Sequence, residues 1–441
     1  MQKKDTKIFY FLIILILATG IFLRFWKLDS IPPGIQYDEA YNGIDAIRAI
    51  ETGDYKIFYP ENTGREGLHI NITALFIKLF GVSSFSLRVA NALWGSLTLI
   101  GFYFLLRELK LSRLSVLLGT FMISFSFWHL DFSRTAFRAI MVPFCIIWAV
   151  YFLLRGLNPP PLKLRRDELD GGISSNDPSN TYLGQVPASI LQTRKKYWAF
   201  ILAGLFLGLG FYSYIAFRVA PLIFVIFGLA YILFERQGFR KNWKAILVFI
   251  FASIFCALPI FHYFYAHWDE FLFRSQTVSV FHPGKLSPLQ ALSKSLWTHL
   301  QAFFVHGDNN PRHNYNGQPL IPSGWVAFFA LGFIISVKEI IENIIKKILS
   351  KRDILKGQTF KLSGLFYPAI LAQSIFWVML IPGALSIEGI PHSLRIIGMI
   401  PGVFLFCVFP MEYILRIYRK MRDSSDLTLR ISGTDLTLTF L

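Results

Sequence analysis

"MQKKDTKIFYFLIILILATGIFLRFW" (residues 1–26) has a basic start followed by an apolar run longer than a secretory signal core, and no small-x-small cleavage site ends it. It predicts an uncleaved first membrane helix with its basic end on the cytoplasmic side. The rest of the chain repeats the pattern. Apolar runs near 8–26, 85–106, 114–130, 139–155, 197–212, 219–234, 245–263, 324–337, 364–382 and 394–415 predict about ten spans. The fold class is therefore an all-α polytopic membrane protein.

Composition agrees. Of 441 residues, 54% are hydrophobic and only 16% charged, against roughly 25% charged in soluble domains. A net charge of +17 would suit nucleic acid in a soluble chain. Here roughly two-thirds of the 44 lysines and arginines fall in segments that ten spans would place inside, which predicts an N-in, C-in orientation and no nucleic-acid partner. Cys145, Cys256 and Cys407 lie within apolar runs and read as small buried hydrophobes, with no disulfide framework and no zinc spacing.

Residues 1–422 are expected to form one transmembrane domain, followed by a short polar tail, 423–441. The segment 156–196 is rich in Pro, Gly, Ser and Asn and reads as a disordered cytoplasmic loop. Two external loops, 28–84 and 264–323, are long enough for structure of their own. In the first, Ala40, Ile44, Ile47 and Glu51 follow helical spacing, and "LHINITALFIKLF" (68–80) suggests a second, juxtamembrane helix.

The less ordinary polar clusters share one predicted face: "YDEAYNG" (37–43), "GREGLH" (64–69), "HLDFSRTAFR" (129–138), "YSYIAFR" (212–218), "HGDNNPRHNYNGQP" (306–319) and "EGIPHSLR" (388–395). Arg138, Arg218 and Arg395 each stand where the chain re-enters the membrane. They either snorkel to lipid phosphate or, with Arg134 and Arg312, grip one phosphate on a lipid tail. Asp38 or Glu39 could take a proton from an attacking hydroxyl or amine. Alternatively, Asp38 caps a helix beginning near Ala40. Asp131 is a further candidate acid, explained equally by a salt bridge to Arg134. Glu66, His313 and His392 are candidate substrate-binding groups, both histidines lying beside a candidate phosphate-binding arginine. No HExxH pattern or compact Cys/His cluster supports zinc catalysis.

The ordered set "YDEAYNG…GREGLH…FSRTAFRAIMVP…FYSYIAFRVAP…GDNNPRHN…IPHSLRIIGMIP" resembles the GT-C superfamily of integral-membrane glycosyltransferases. The resemblance covers about residues 8–415, and it is closest to the phospholipid carrier-dependent branch of protein O-mannosyltransferases and lipid A aminoarabinose transferases. It implies transfer of a sugar from a polyprenyl-phosphate donor to a lipid, glycan or protein acceptor, with inversion, on the extracytoplasmic face of the cell (inner) membrane. It carries the acceptor-side carboxylate to Asp38 and Glu39, and carrier-phosphate binding to Arg138, Arg218, Arg395 and Arg312. No metal is implied as obligatory, although Asp38 and Glu39 could hold Mg²⁺ or Mn²⁺. The chain has "REGL" (65–68) where many relatives have a basic residue before "PPL", and it lacks the WWDYG motif of oligosaccharyltransferases. A transporter or flippase for a lipid-linked sugar is the alternative, since the same arginines would bind phosphate without chemistry. It would favour inverted repeats and midplane charges, which the sequence does not display.

Overall fold

A computed structural model of the chain describes residues 2–157, 188–277, 279–281, 287–353, 362–386 and 389–423. Most of the expected loop 156–196 and the tail beyond residue 423 lie outside the described residues.

Every expected span falls on a helix. Among the described residues, eight helical segments are long and apolar enough to cross a membrane. In chain order the long helices are α1 (Gln2–Phe25), α4 (Ser84–Glu108), α7 (Met141–Leu157), α9 (Pro221–Phe234), α10 (Arg236–Ala266), α13 (Ser323–Asp353), α14 (Phe366–Ala384) and α15 (Ile400–Asp423); the apolar stretches of α7, α9 and α15 are extended by short 3-10 turns. The other two expected spans correspond to α5 (Arg113–Phe125) and α8 (Ala188–Leu209). At 1.5 Å per residue, α5 alone reaches about 20 Å, short of a hydrocarbon core of about 30 Å. The run 114–130 breaks because Ser126 accepts from the His129 N–H and starts a new short helix, α6 (Phe127–Phe132).

Apolar side chains divide the helices into two kinds. In α15 the most hydropathic stretch is 83% buried inside the protein, whereas in α10 it is 22% buried. Phe251, Phe255 and Leu258 of α10 point outward, as do Phe11 and Ile14 of α1. Such exposure is costly in water and matched to lipid. Around α15 the core is dense in aromatic rings, with Phe376, Phe404 and Phe406 buried. Glycines permit the closest approaches: a Cβ on Gly204 or Gly208 of α8 would run into the backbone of α10 at Phe249 or Ser253.

The segment between α1 and α4 is folded. It holds α2 (Tyr37–Thr52), a two-residue antiparallel ladder of β1 (Phe58–Tyr59) with β2 (Arg65–Glu66), and α3 (Leu68–Phe80). Ala46, Ile70, Ala74 and Leu87 form a small core under it. Phe58 reaches back to α10, its ring 5.1 Å from that of Phe264. In the long second loop, α11 (Trp268–Thr277) and α12 (Pro288–Gln301) precede an irregular stretch, 302–322. Ends of the helices and both loops meet at one end of the bundle.

Candidate functional site

Asp38 and Glu39 are neighbours on α2, and successive residues on a helix point about 100° apart. Their surroundings are opposite. Glu39 is fully buried. One carboxylate oxygen accepts from Arg88 Nε at 3.0 Å and the Ala136 N–H at 2.8 Å; the other accepts from Arg88 Nη2 and the Gln36 N–H, both at 3.0 Å. Arg88 also donates to the carbonyl of Pro32 at 2.8 Å. The Arg88–Glu39 fork thus ties the entry of α2 to α4 and to the loop before Arg138. The expected cap is corrected in two respects: α2 starts at Tyr37 rather than near Ala40, and Glu39, not Asp38, accepts from the N-cap backbone.

Asp38 turns outward. It accepts from Asn62 at 3.3 Å and from Arg312 Nη1 at 3.2 Å, and the two charged side chains remain 36% and 33% exposed. Of the acidic pair, this is the carboxylate open to solvent. Arg312 is held in turn by Asn310, whose Oδ1 accepts from its Nε at 3.2 Å. Arg312 therefore pairs with the open acid.

Two of the other arginines, Arg138 and Arg218, converge on Glu66. Arg138 Nε donates to Glu66 at 2.9 Å, and Arg218 Nη2 lies 3.9 Å from its other oxygen. Burial opposes ionisation of Glu66, but the two guanidiniums outweigh it and hold the carboxyl below its usual range. Arg218 also donates to the Phe271 carbonyl at 2.7 Å and stacks over the Phe271 ring at 4.1 Å. Arg218 and Arg395 then share a cavity of about 230 Å³ whose other walls include Tyr214, Val219, Ile381, Pro382 and Leu385. Two guanidiniums on an apolar cleft suit an anionic head on an apolar tail. Glu66, expected to bind substrate, is enclosed between arginines.

A third group bridges the loops. Asp308 is buried and accepts at one oxygen from the Ser393 N–H (2.9 Å) and Ser393 Oγ (3.1 Å), with His313 Nδ1 at 3.2 Å from the same oxygen. The rings of His313 and His392 stack at 4.7 Å. His313 also packs on Phe137, the neighbour of Arg138, at 5.4 Å. Arg312, Arg138 and Arg395 are thus linked through one buried cluster.

Residues 67–166 match the model of the dolichyl-phosphate-mannose-protein mannosyltransferase family. This takes in Asp131, Arg134 and Arg138 and begins after Asp38. Among solved structures the chain is similar to the apo oligosaccharyltransferase of Archaeoglobus fulgidus, with a TM-score of 0.51 at 16% identity over 94% of this chain and 52% of that one. The same organism's AglB, in complex with an inhibitory peptide and a dolichol-phosphate, gives a TM-score of 0.50 at 16% identity over 95% and 52%. The chain has the GT-C fold. It spans about half the length of these archaeal structures. ArnT from Cupriavidus metallidurans, bound to undecaprenyl phosphate, also aligns, with a TM-score of 0.42 at 14% identity over 91% and 77%. No curated protein sequence matches the chain.

On this GT-C scaffold two expected site residues take other positions. Arg134 donates to the carbonyls of Leu23, Trp26 (2.6 Å) and Ile31 (2.9 Å), and so closes the C-terminal end of α1. Among the described residues no ion pair joins it to Asp131, so the expected salt bridge is not formed. Asp131 stands on α6 with one carboxylate oxygen sealed from solvent and without a hydrogen-bond partner. Burial, aided by the charge of Glu39, pushes its pKa up to about 7. The residues that sequence reasoning missed are Arg88, Asn62, Asp308 and Ser393. Arg88 carried a signal, a cation within an apolar run. Asp308 lay in a quoted cluster but has no spacing that singles it out.

Proposed function

We propose that the chain is a glycosyltransferase that moves a sugar from a polyprenyl-phosphate donor to an acceptor on the extracytoplasmic face. The observation that carries this reading is the pairing of Arg218 and Arg395 on an apolar cleft, at the same end of the bundle as the solvent-open Asp38. Similar proteins support the donor class: dolichyl-phosphate-mannose for the matching family and dolichol-phosphate in the archaeal complex.

In this reading the polyprenyl chain enters between α9 and α14, and its phosphate meets Arg218 and Arg395. Arg138 stands behind them across Glu66. As the anomeric carbon–oxygen bond breaks, negative charge grows on the leaving phosphate, and fixed guanidiniums stabilise it without having to reorganise. Asp38 exchanges its contact with Arg312 for the acceptor hydroxyl or amine and takes its proton during attack. A single displacement inverts the sugar. Glu39, with all its oxygens engaged, holds α2 in place rather than acting as base. The acceptor is a lipid, glycan or protein.

Purified protein in proteoliposomes, supplied with a polyprenyl-phosphate hexose or pentose, tests the reading. Release of polyprenyl phosphate that is lost in Asp38→Asn and needs more donor in Arg218→Ala supports it. Movement of the intact donor across the bilayer with no release would instead make the protein a flippase.

A further inference from the structure

Asp308, His313 and His392 form a cluster that the proposed transfer does not use. We propose that these three side chains bind one divalent transition-metal ion, with Zn²⁺ the best fitted. Their ligand atoms all lie within 4.8 Å of one another. The Asp308 Oδ2 to His313 Nδ1 separation, 3.2 Å, is a hydrogen-bond length. It is also close to the edge of a tetrahedron with metal–ligand bonds of about 2.0–2.1 Å, which is roughly 3.3 Å. An ion can therefore enter that edge with the carboxylate and ring nearly where they stand, once the imidazole proton sits on Nε2. His392 has then only to close by about 1–1.5 Å, in keeping with those bond lengths.

The surroundings are built to hold the donors still. Ser393 fixes the Asp308 carboxylate through both its N–H and its hydroxyl, and the Asn310 N–H donates to the other oxygen at 2.8 Å. The His392 N–H donates to His299 Nε2 at 3.1 Å, and His299 Nδ1 donates to the Ser295 carbonyl at 2.8 Å. Outer hydrogen bonds of this kind orient the ligating side chains in metal proteins. Asp308 and His313 are almost completely buried. Two imidazoles with one carboxylate favour Zn²⁺ and its neighbours over Mg²⁺ or Ca²⁺, which prefer oxygen sets. This places the metal away from Asp38 and Glu39, the pair the sequence offered for Mg²⁺ or Mn²⁺. The ion would clamp the stretch 302–322, which carries Arg312, to the stretch 389–396, which carries Arg395. Metal binding itself does not depend on the transferase reading.

The test uses the full chain, stripped with chelator and titrated with Co²⁺ as a visible probe and then with Zn²⁺ as competitor. The expected result is one ion per chain, with an imidazole–carboxylate Co²⁺ spectrum displaced by Zn²⁺, and a Tm raised by Zn²⁺. His392→Ala and Asp308→Asn should each weaken binding by about 100-fold or more, since even losing a partner that only orients a ligand costs about 10–100-fold. They should also lose the Zn²⁺-dependent rise in Tm, while His262→Ala, an exposed histidine on α10, changes neither. Binding unaltered in both ligand variants overturns the site. Should those variants fail to fold, the wild-type chain decides, because a Tm indifferent to Zn²⁺ and a featureless Co²⁺ titration overturn it equally.

Discussion

Asp38 and Glu39 have the same chemistry one residue apart, and burial separates their roles. Glu39 satisfies two donors of a buried arginine and two backbone N–H groups. Glu39→Gln leaves Arg88 without its counter-charge, a change that costs about 3–5 kcal/mol when a buried pair is broken. We expect poor folding and a lowered Tm, with activity falling only in proportion to folded protein. Asp38→Asn should do the reverse: unchanged Tm in detergent, and sugar transfer down by about 10²–10⁴-fold. Equal loss of activity per folded molecule in both variants would remove the distinction. Asp131 adds a pH signature. Its folded pKa, about 7, lies above the value of about 3.9 expected when unfolded. Between those values the folded chain keeps a proton that the unfolded chain has lost, so stability from this group is full below pH 4 and declines as pH rises to 7. Asp131→Asn removes the decline. The difference in Tm, variant minus wild type, should therefore grow more positive from pH 4.5 to pH 8; a difference independent of pH would mean that Asp131 is ionised throughout. The acidic pair could be located from sequence. Which member is buried could not, because that depends on Arg88 and Ala136, 49 and 97 positions away.

The elements were legible where lipid dictates composition and less so where polar contacts decide. Hydropathy located the helices that cross the bundle because hydrocarbon demands long apolar runs whatever their neighbours. It also hid Arg88, because a single cation barely alters the mean of such a run. The three arginines at helix starts, Arg138, Arg218 and Arg395, lie at one end of the bundle, since a helix start fixes depth. Depth does not fix direction. Arg134 turns to the end of α1 and Arg312 to Asp38, while Arg218 and Arg395 reach the cleft. The cleft wall is formed by the start of α9 and the end of α14, so variants there should act on donor binding in particular. Arg218→Ala or Arg395→Ala should each raise KM for the polyprenyl-phosphate donor by about 10–100-fold, from the roughly 1.5–3 kcal/mol of a charged hydrogen bond. KM for the acceptor should stay the same. Arg218→Lys should recover only part of the loss, because an ammonium cannot reproduce the fork or the stacking over Phe271. Full recovery with lysine would show that charge alone matters.

At the scale of the whole molecule the decisive property is sidedness. The candidate acid, the cleft arginines and the buried Asp308 cluster share one end of the bundle. The opposite end carries Lys110 and Lys241 beside Glu108 and Glu235, around a separate cavity. In the proposed orientation the lysine- and arginine-rich segments at that opposite end lie in the cytoplasm, in keeping with the positive-inside rule, and the Asp38 end faces outward. A donor made on the inside and presented on the outside requires this orientation, because a polyprenyl phosphate in the outer leaflet can reach Arg218 and Arg395 only if they open there. Cysteine labelling can read it directly. The native thiols give little background, since Cys145 and Cys407 are buried and Cys256 is half-buried. Glu51 on α2 and Arg236 at the start of α10 are exposed at the two ends. In intact cells a membrane-impermeant maleimide should label Glu51→Cys and spare Arg236→Cys, with both labelled once the membrane is opened. The converse pattern would put Asp38 on the cytoplasmic side, where nucleotide sugars are at hand, and would remove the reason for a lipid-linked donor.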